Sequence, residues 1–459
     1  MAPDLTPVDG PPNLLLGAYD VADLDYTVRE YFVSGRATRY VPSPDGVSAD
    51  RVAPDGAADY TTRIVVLTPN EGFSGTVVVE WLNVSGGLDA PAVWFMAHRE
   101  VVRARHAYVA VSAQRVGIEG GASLGMDMSL KTQSPQRYSD LHHPGDAYAY
   151  DVFTQVGRLL TERPGDVLDG LAPQAVLAVG ESQSALFLTT YVNRIDRLAG
   201  VYDGFLVHSR FGPAAPLDGS SIFADTVSTD PVPFIDDLRV PVLTVITETD
   251  LVGGVRAGYH AARRPDDARL RTWEVPGTAH ADNYTIGVGF IDSGAAPLTD
   301  LVAAWRPTRS LMGRELPHYV NFAPQHHYVL QAALAALAHW VRTGEPATTA
   351  APMDLTDADP PQLLLDRHGL ATGGVRTPWV DVPVARTSGL APGDDVMALL
   401  FGSGEPFDAA TVRELYPCGL DDYVERFTAA LDAAIDAGVL LAADRAEIVD
   451  LATATYPMV

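Results

Sequence analysis

The sequence predicts an α/β fold: a mostly parallel sheet with helices packed on both faces. Three observations predict it. Runs of β-branched and apolar residues recur between Tyr26 and Val275, bounded by Pro, Gly and Asp. They alternate with helix-length apolar patterns, which is how a parallel sheet is covered on both sides. One run, residues 176–190, passes sharply from strand to helix at Ser182.

The elements follow in order. Residues 26–40 alternate enough for an antiparallel strand or hairpin arm, and 60–67 and 75–82 are the next two strands. Residues 90–104 read as a helix whose apolar side carries Val93, Phe95, Met96, Val101 and Val102. A strand at 106–112, a helix at 149–160 and a strand at 175–179 lead to the Ser182 turn. Strands at 204–207, 240–246 and 270–275 complete an expected sheet of eight. Residues 114–145 and 283–324 break the alternation and read as insertions, and an apolar helix over 325–342 ends at Gly344. Beyond Pro346 come a Pro- and Ala-rich connector, coil or short strands over 373–386, and helical patterns at 421–437 and 442–452. The expectation is one domain over 1–459 with its core at about 20–345, and 346–459 as a brace or partial cap.

Composition narrows the function. The net charge of −26 argues against nucleic acid or an anionic membrane as partner. Lys131 is the only lysine and lacks the preceding glycines of a phosphate-binding loop, and Gly117 to Gly125 lack the dinucleotide-binding spacing. Cys418 stands alone, so no internal disulfide is possible and no Cys/His metal spacing exists. No apolar run approaches a membrane span or a signal-peptide core, which makes the cytoplasm the expected location. No cofactor or metal is implied.

The Ser182 turn carries the chemistry. A serine on a tight strand-to-helix corner has its hydroxyl pushed clear of the sheet, provided the positions two before and two after are small. Gly180 and Ser184 occupy them. The Gln183 N–H then faces a developing oxyanion, reinforced by the helix dipole. A second donor belongs to the loop after the third expected strand, Asn83-Val84-Ser85-Gly86-Gly87, with Val84 or Ser85 as the candidates. A nucleophilic serine needs a base and an acid to orient it, in the chain order Ser, acid, His. His280 follows the last expected strand and is the candidate base. Asp250 and Glu248 both end the preceding strand; Asp250 is favoured for its short side chain, and Glu248 is its rival.

Several motifs, Trp81-Leu82-Asn83-Val84-Ser85-Gly86-Gly87, Leu141-His142-His143-Pro144-Gly145-Asp146, Gly180-Glu181-Ser182-Gln183-Ser184 and Val207-His208-Ser209-Arg210 among them, resemble the bacterial α/β-hydrolase domain-containing proteins. That resemblance extends over most of the chain, through 324–328 and 373–378. It implies an α/β-hydrolase fold, serine carboxylesterase activity, Ser182 as nucleophile, His280 as base and an acid after the Val242 strand, without choosing between Asp250 and Glu248. The expected function is therefore hydrolysis of a small-molecule carboxylic ester. An acyltransferase with the same three residues, or a non-catalytic binding protein on the same scaffold, are the alternatives. His142, His143 and His208 are possible pocket residues, with core hydrogen bonding the competing role for His208, and Asp146 is a candidate N-cap for the 149–160 helix. Oligomeric state leaves no trace in the sequence.

Overall fold

A computed structural model describes residues 3–43, 51–121, 123–222, 224 and 228–457. Nine strands form its main sheet, in the order β1–β2–β3–β5–β4–β6–β7–β8–β9. They are β1 (Asp4–Val8), β2 (Tyr26–Pro42), β3 (Val52–Pro69), β4 (Thr76–Trp81), β5 (Ala107–Val111), β6 (Ala175–Glu181), β7 (Gly204–His208), β8 (Val242–Thr247) and β9 (Leu270–Val275). The pairings from β5 through β9 are parallel, and those joining β1, β2, β3 and β5 are antiparallel.

The count corrects the expected eight. The extra strand is β1, which pairs antiparallel with β2 at the sheet edge. Its side chains are exposed or half-buried, so it lacks the apolar alternation that betrays a strand, and Pro7 is tolerated because an edge position leaves one side unpaired. β3 also starts eight residues before the expected Tyr60, in the mostly exposed stretch containing Pro54 and Gly56. The Ser182 turn therefore follows the sixth strand in sequence, not the fifth.

The period-two alternation of the central strands divides the core between the two faces. Val78, Leu177, Val179, Leu206 and Leu243 pack on one face with α1 (Ala92–Arg103) and with α5 (Gln325–Thr343). Val77, Val79, Val176, Ala178 and Phe205 pack on the other with α2 (Ala149–Glu162) and α3 (Gln183–Thr190). Between β8 and β9 a short helix, α4 (Glu248–Val252), follows directly on the strand. α5 ends where Gly344 adopts a left-handed conformation (φ 80°), the usual helix stop.

The chain beyond 346 contributes α6 (Leu420–Asp436) and α7 (Arg445–Thr455). Phe427, Leu431, Ile448 and Leu451 are buried in the same cluster as α1 and α5. Arg99 of α1 meets Glu447 at 2.6 Å, and Arg103 meets Asp444 at 2.7 Å. Among the described residues no helix is long and apolar enough to cross a membrane.

Candidate active site

β6 lies in the interior of the sheet between β4 and β7, so its C-terminal end opens onto the crevice where neighbouring loops converge. Ser182 sits there with φ 55° and ψ −114°, a conformation an L-residue adopts only under constraint. The constraint is visible. The Ser182 N–H donates to the His208 carbonyl at 3.0 Å. Ser184 is more than a small residue: its hydroxyl donates to the Glu181 carbonyl at 2.8 Å and accepts from the Glu181 N–H at 3.0 Å, closing the turn. A methyl group at Gly180 would stand 2.9 Å from Leu188 Cδ1 and 3.1 Å from Ser184 Oγ, which is why glycine precedes the turn.

The structure brings Ser182, His280 and Asp250 into one hydrogen-bonded row. His280 Nε2 lies 2.7 Å from Ser182 Oγ, and His280 Nδ1 lies 2.6 Å from Asp250 Oδ1. Asp250 is fully buried and held from behind: its Oδ2 accepts from the Thr247 N–H at 3.1 Å and from the Thr247 hydroxyl at 2.6 Å, in the capping box that starts α4. The His280 N–H donates to Thr249 Oγ1 at 3.1 Å, and Phe211 stacks on its ring at 5.3 Å. Burial alone works against a charged imidazole. The Asp250 carboxylate, through charge and hydrogen bond, and Glu181 through charge, outweigh it, so the His280 pKa lies above its ordinary value.

Glu248 is elsewhere. Its carboxylate accepts from the Gly277 N–H at 2.6 Å, the Gly389 N–H at 2.8 Å and the Ser388 hydroxyl at 2.8 Å. It ties the loop after β9 to the segment at 388–389 and makes no hydrogen bond to His280.

Of the proposed oxyanion donors, Gln183 opens α3 at a position where a helix offers its N–H no acceptor. The Val84 N–H donates to Gln183 Oε1 at 3.2 Å, so a side-chain oxygen already sits where that donor points. The Ser85 N–H donates to Asn83 Oδ1 at 2.8 Å in a local turn. Gln183 Nε2 in turn donates to Gln114 Oε1 at 2.7 Å. Beside these groups lies a cavity of about 220 Å³ with Val84, Val116, Gln183, Phe187 and Ile222 in its walls.

The three histidines expected near a pocket do not line this cavity. His142 pairs through its backbone with Thr61 while its side chain is exposed. His143 is buried with Nε2 on the Ala113 carbonyl (2.9 Å) and Nδ1 accepting from the Gly145 N–H (3.2 Å); burial holds its pKa below the ordinary value. His208 is buried and shares a 2.8 Å hydrogen bond with His326 Nε2, whose Nδ1 lies 3.2 Å from Asp282. Core hydrogen bonding, not a cavity wall, is the place of His143 and His208. Asp146 does not cap α2 either; its carboxylate accepts from the Arg115 N–H and from Gln114 Nε2.

Sequence reasoning passed over Glu181. It lies directly before Ser182, its Oε2 accepts from Asn83 Nδ2 at 3.0 Å, and its Oε1 stands 3.5 Å from His280 Nε2. Burial pushes its pKa up to about 7. The only available signal was an acidic residue inside the motif itself, at a position read as a spacer.

Comparison with known proteins gives the family. The profile of an alpha/beta hydrolase domain family matches residues 4–450. The chain belongs to that family. No curated protein sequence matches it. Among solved structures, this hydrolase is similar to a Klebsiella pneumoniae protein given as a candidate dienelactone hydrolase (13% identity, 60% of this chain and 95% of that one, TM-score 0.33). It is also similar to a thermostable esterase from Pseudomonas putida (14% identity, 50% and 66%, TM-score 0.27). A third is an esterase from Pyrococcus furiosus (11% identity, 57% and 88%, TM-score 0.32).

Proposed function

We propose that this hydrolase cleaves carboxylic esters through an acyl-enzyme on Ser182. The observation that carries the reading is the unbroken row of two short hydrogen bonds, 2.6 and 2.7 Å, from Asp250 through His280 to Ser182. His280 Nε2 takes the hydroxyl proton as Ser182 Oγ bonds to the acyl carbon, and the carbonyl electron pair moves onto oxygen. The Gln183 N–H receives that oxyanion, and the Val84 N–H joins it once Gln183 Oε1 yields its place. The proton on Nε2 then passes to the departing alkoxide. Water, deprotonated by the same nitrogen, releases the acid and restores the serine. Asp250 keeps Nδ1 protonated and stabilises the imidazolium. The cavity beside Val84 and Phe187, whose walls also carry Gln114, Arg115 and Asp146, has room for one side of a small ester.

The test is a panel of 4-nitrophenyl and alkyl esters with wild-type enzyme and Ser182→Ala. The reading expects the substitution to lower kcat/KM by at least about 10⁴-fold. Turnover at the wild-type rate by the alanine variant would refute it.

A further inference from the structure

The imidazole of His280 lies between two carboxylates, not one. Asp250 holds Nδ1, and Glu181 Oε1 stands 3.5 Å from Nε2, the nitrogen that faces Ser182. Glu181 is not a surface acid swung inward: its side chain is 12% exposed. Asn83 anchors it twice, donating from Nδ2 to the carboxylate at 3.0 Å and to the Glu181 carbonyl at 3.1 Å, and Ser184 fixes its backbone. The position is rigid because the Ser182 turn is rigid. We propose that Glu181 is the second electrostatic partner of His280, stabilising the imidazolium from the Nε2 side and so setting the pH at which the base becomes available.

The geometry gives the role its content. When Ser182 surrenders its proton, the positive charge generated on the ring is shared by both nitrogens. Asp250 meets one end, and without Glu181 the other end faces a buried, poorly solvated space. Because Glu181 immediately precedes the nucleophile, one turn positions both the attacking oxygen and the counter-charge. The other titratable groups around the pair are Asp250 on α4, His326 on α5 and the buried Glu80 on β4, with Asp282 and His208 behind His326. Asp250 and His326 act on Glu181 in opposite senses, the carboxylate disfavouring its anion and the histidine favouring it. Glu181 and His280 thus take up protons as an interacting pair, in two steps.

This inference rests on the serine-hydrolase reading for its catalytic meaning, but its test does not. The measurement is the pH titration of the His280 ring by NMR in ¹³C-histidine-labelled full-length protein without substrate, the resonance being identified by its loss in His280→Asn. Glu181→Gln keeps the shape and removes the charge. We expect it to lower the His280 midpoint by about one pH unit and to merge the two-step curve into one. The acid limb of kcat/KM should move to lower pH by the same amount. An unmoved midpoint overturns the proposal, even if activity falls, because a merely structural role would reduce the rate without shifting the titration. Should the glutamine variant fail to fold, Glu181→Asp draws the carboxylate back by one methylene; a lowered midpoint supports the proposal and an unchanged one overturns it. A shifted titration in a protein that cleaves no ester would leave this inference standing and remove the proposed function.

Discussion

At the scale of single residues, two acids two positions apart have different surroundings, and their removal has different consequences. Asp250 touches the histidine, and Glu248 holds the loop at Gly277 and the segment at 388–389. Asp250→Asn is expected to lower kcat by about 10⁴-fold with little change in melting temperature, because it leaves packing intact while disturbing the tautomer of His280. Glu248→Gln is expected to do the reverse, costing about 1–3 kcal/mol of stability through an imperfectly satisfied buried cluster while kcat falls far less. Steady-state kinetics and thermal denaturation on both variants check this pair. The sequence favoured Asp250 on side-chain length alone. What places Asp250 beside the ring is the helix that begins at Glu248: Thr247-Glu248-Thr249-Asp250 forms a capping box, which turns Asp250 inward. That signature was present in the sequence, in a stretch read as the end of a strand. Ser182 carries a second residue-scale prediction. Its positive φ strains any residue with a β-carbon, so Ser182→Gly should be more stable than Ser182→Ala by about 1 kcal/mol, measured by denaturant unfolding. Equal stabilities would mean that the turn holds no strain.

At the scale of elements, what the sequence revealed depended on burial. The strands from β4 to β9 are nearly all buried and read as continuous apolar runs, so each was found within about two residues. β1 and the first half of β3 are exposed and carry no such pattern, so they went unseen. α1 shows how an element end is stabilised by a group that sequence patterns do not reveal. It has no side-chain cap of its own; Glu80 from β4 accepts from the Val93 and Trp94 N–H groups at 2.8 and 2.9 Å, and from the Tyr108 hydroxyl at 2.7 Å. Burial pushes the Glu80 pKa up to about 8, against the hydrogen bonds that favour its anion. A folded-state value above the unfolded one means that the folded chain binds the extra proton. The stabilisation is therefore complete below the ordinary glutamate range and is lost as pH rises toward about 8. Melting temperature should fall over that window in the wild type and fall less steeply in Glu80→Gln. An identical slope in both would show that Glu80 is not the titrating group.

At the scale of the whole molecule, the chain beyond 346 shares the core of one sheet face and also reaches the rim of the candidate site. The Ala281 N–H, one residue past His280, donates to the Leu400 carbonyl at 3.0 Å, and Thr249 Oγ1 donates to the Gly389 carbonyl at 2.6 Å. We therefore favour the brace, with its edge reaching the candidate site, as the role of this segment. Ending the chain at residue 345 would expose the α1 and α5 surfaces that Phe427, Leu431, Ile448 and Leu451 cover, each worth about 1.5–3 kcal/mol when buried. The shortened chain is expected to bind a hydrophobic dye and to lose its cooperative melt. A soluble, cooperatively folding chain of that length would show that the tail is dispensable to the core. The three residues of the hydrogen-bonded row, Ser182, His280 and Asp250, were legible in the sequence as candidates because each follows a buried strand. The second carboxylate at the ring was not, because its meaning lies in a distance between the β6 turn and the loop after β9.

The central claim is that Ser182 becomes acylated, and mass spectrometry of enzyme quenched during turnover of a 4-nitrophenyl ester tests it most directly. The account predicts a mass increase equal to the acyl group, mapped to the peptide bearing Ser182 and absent from Ser182→Ala. Sustained turnover with the acyl group on another residue, or with Ser182 never modified, would contradict it.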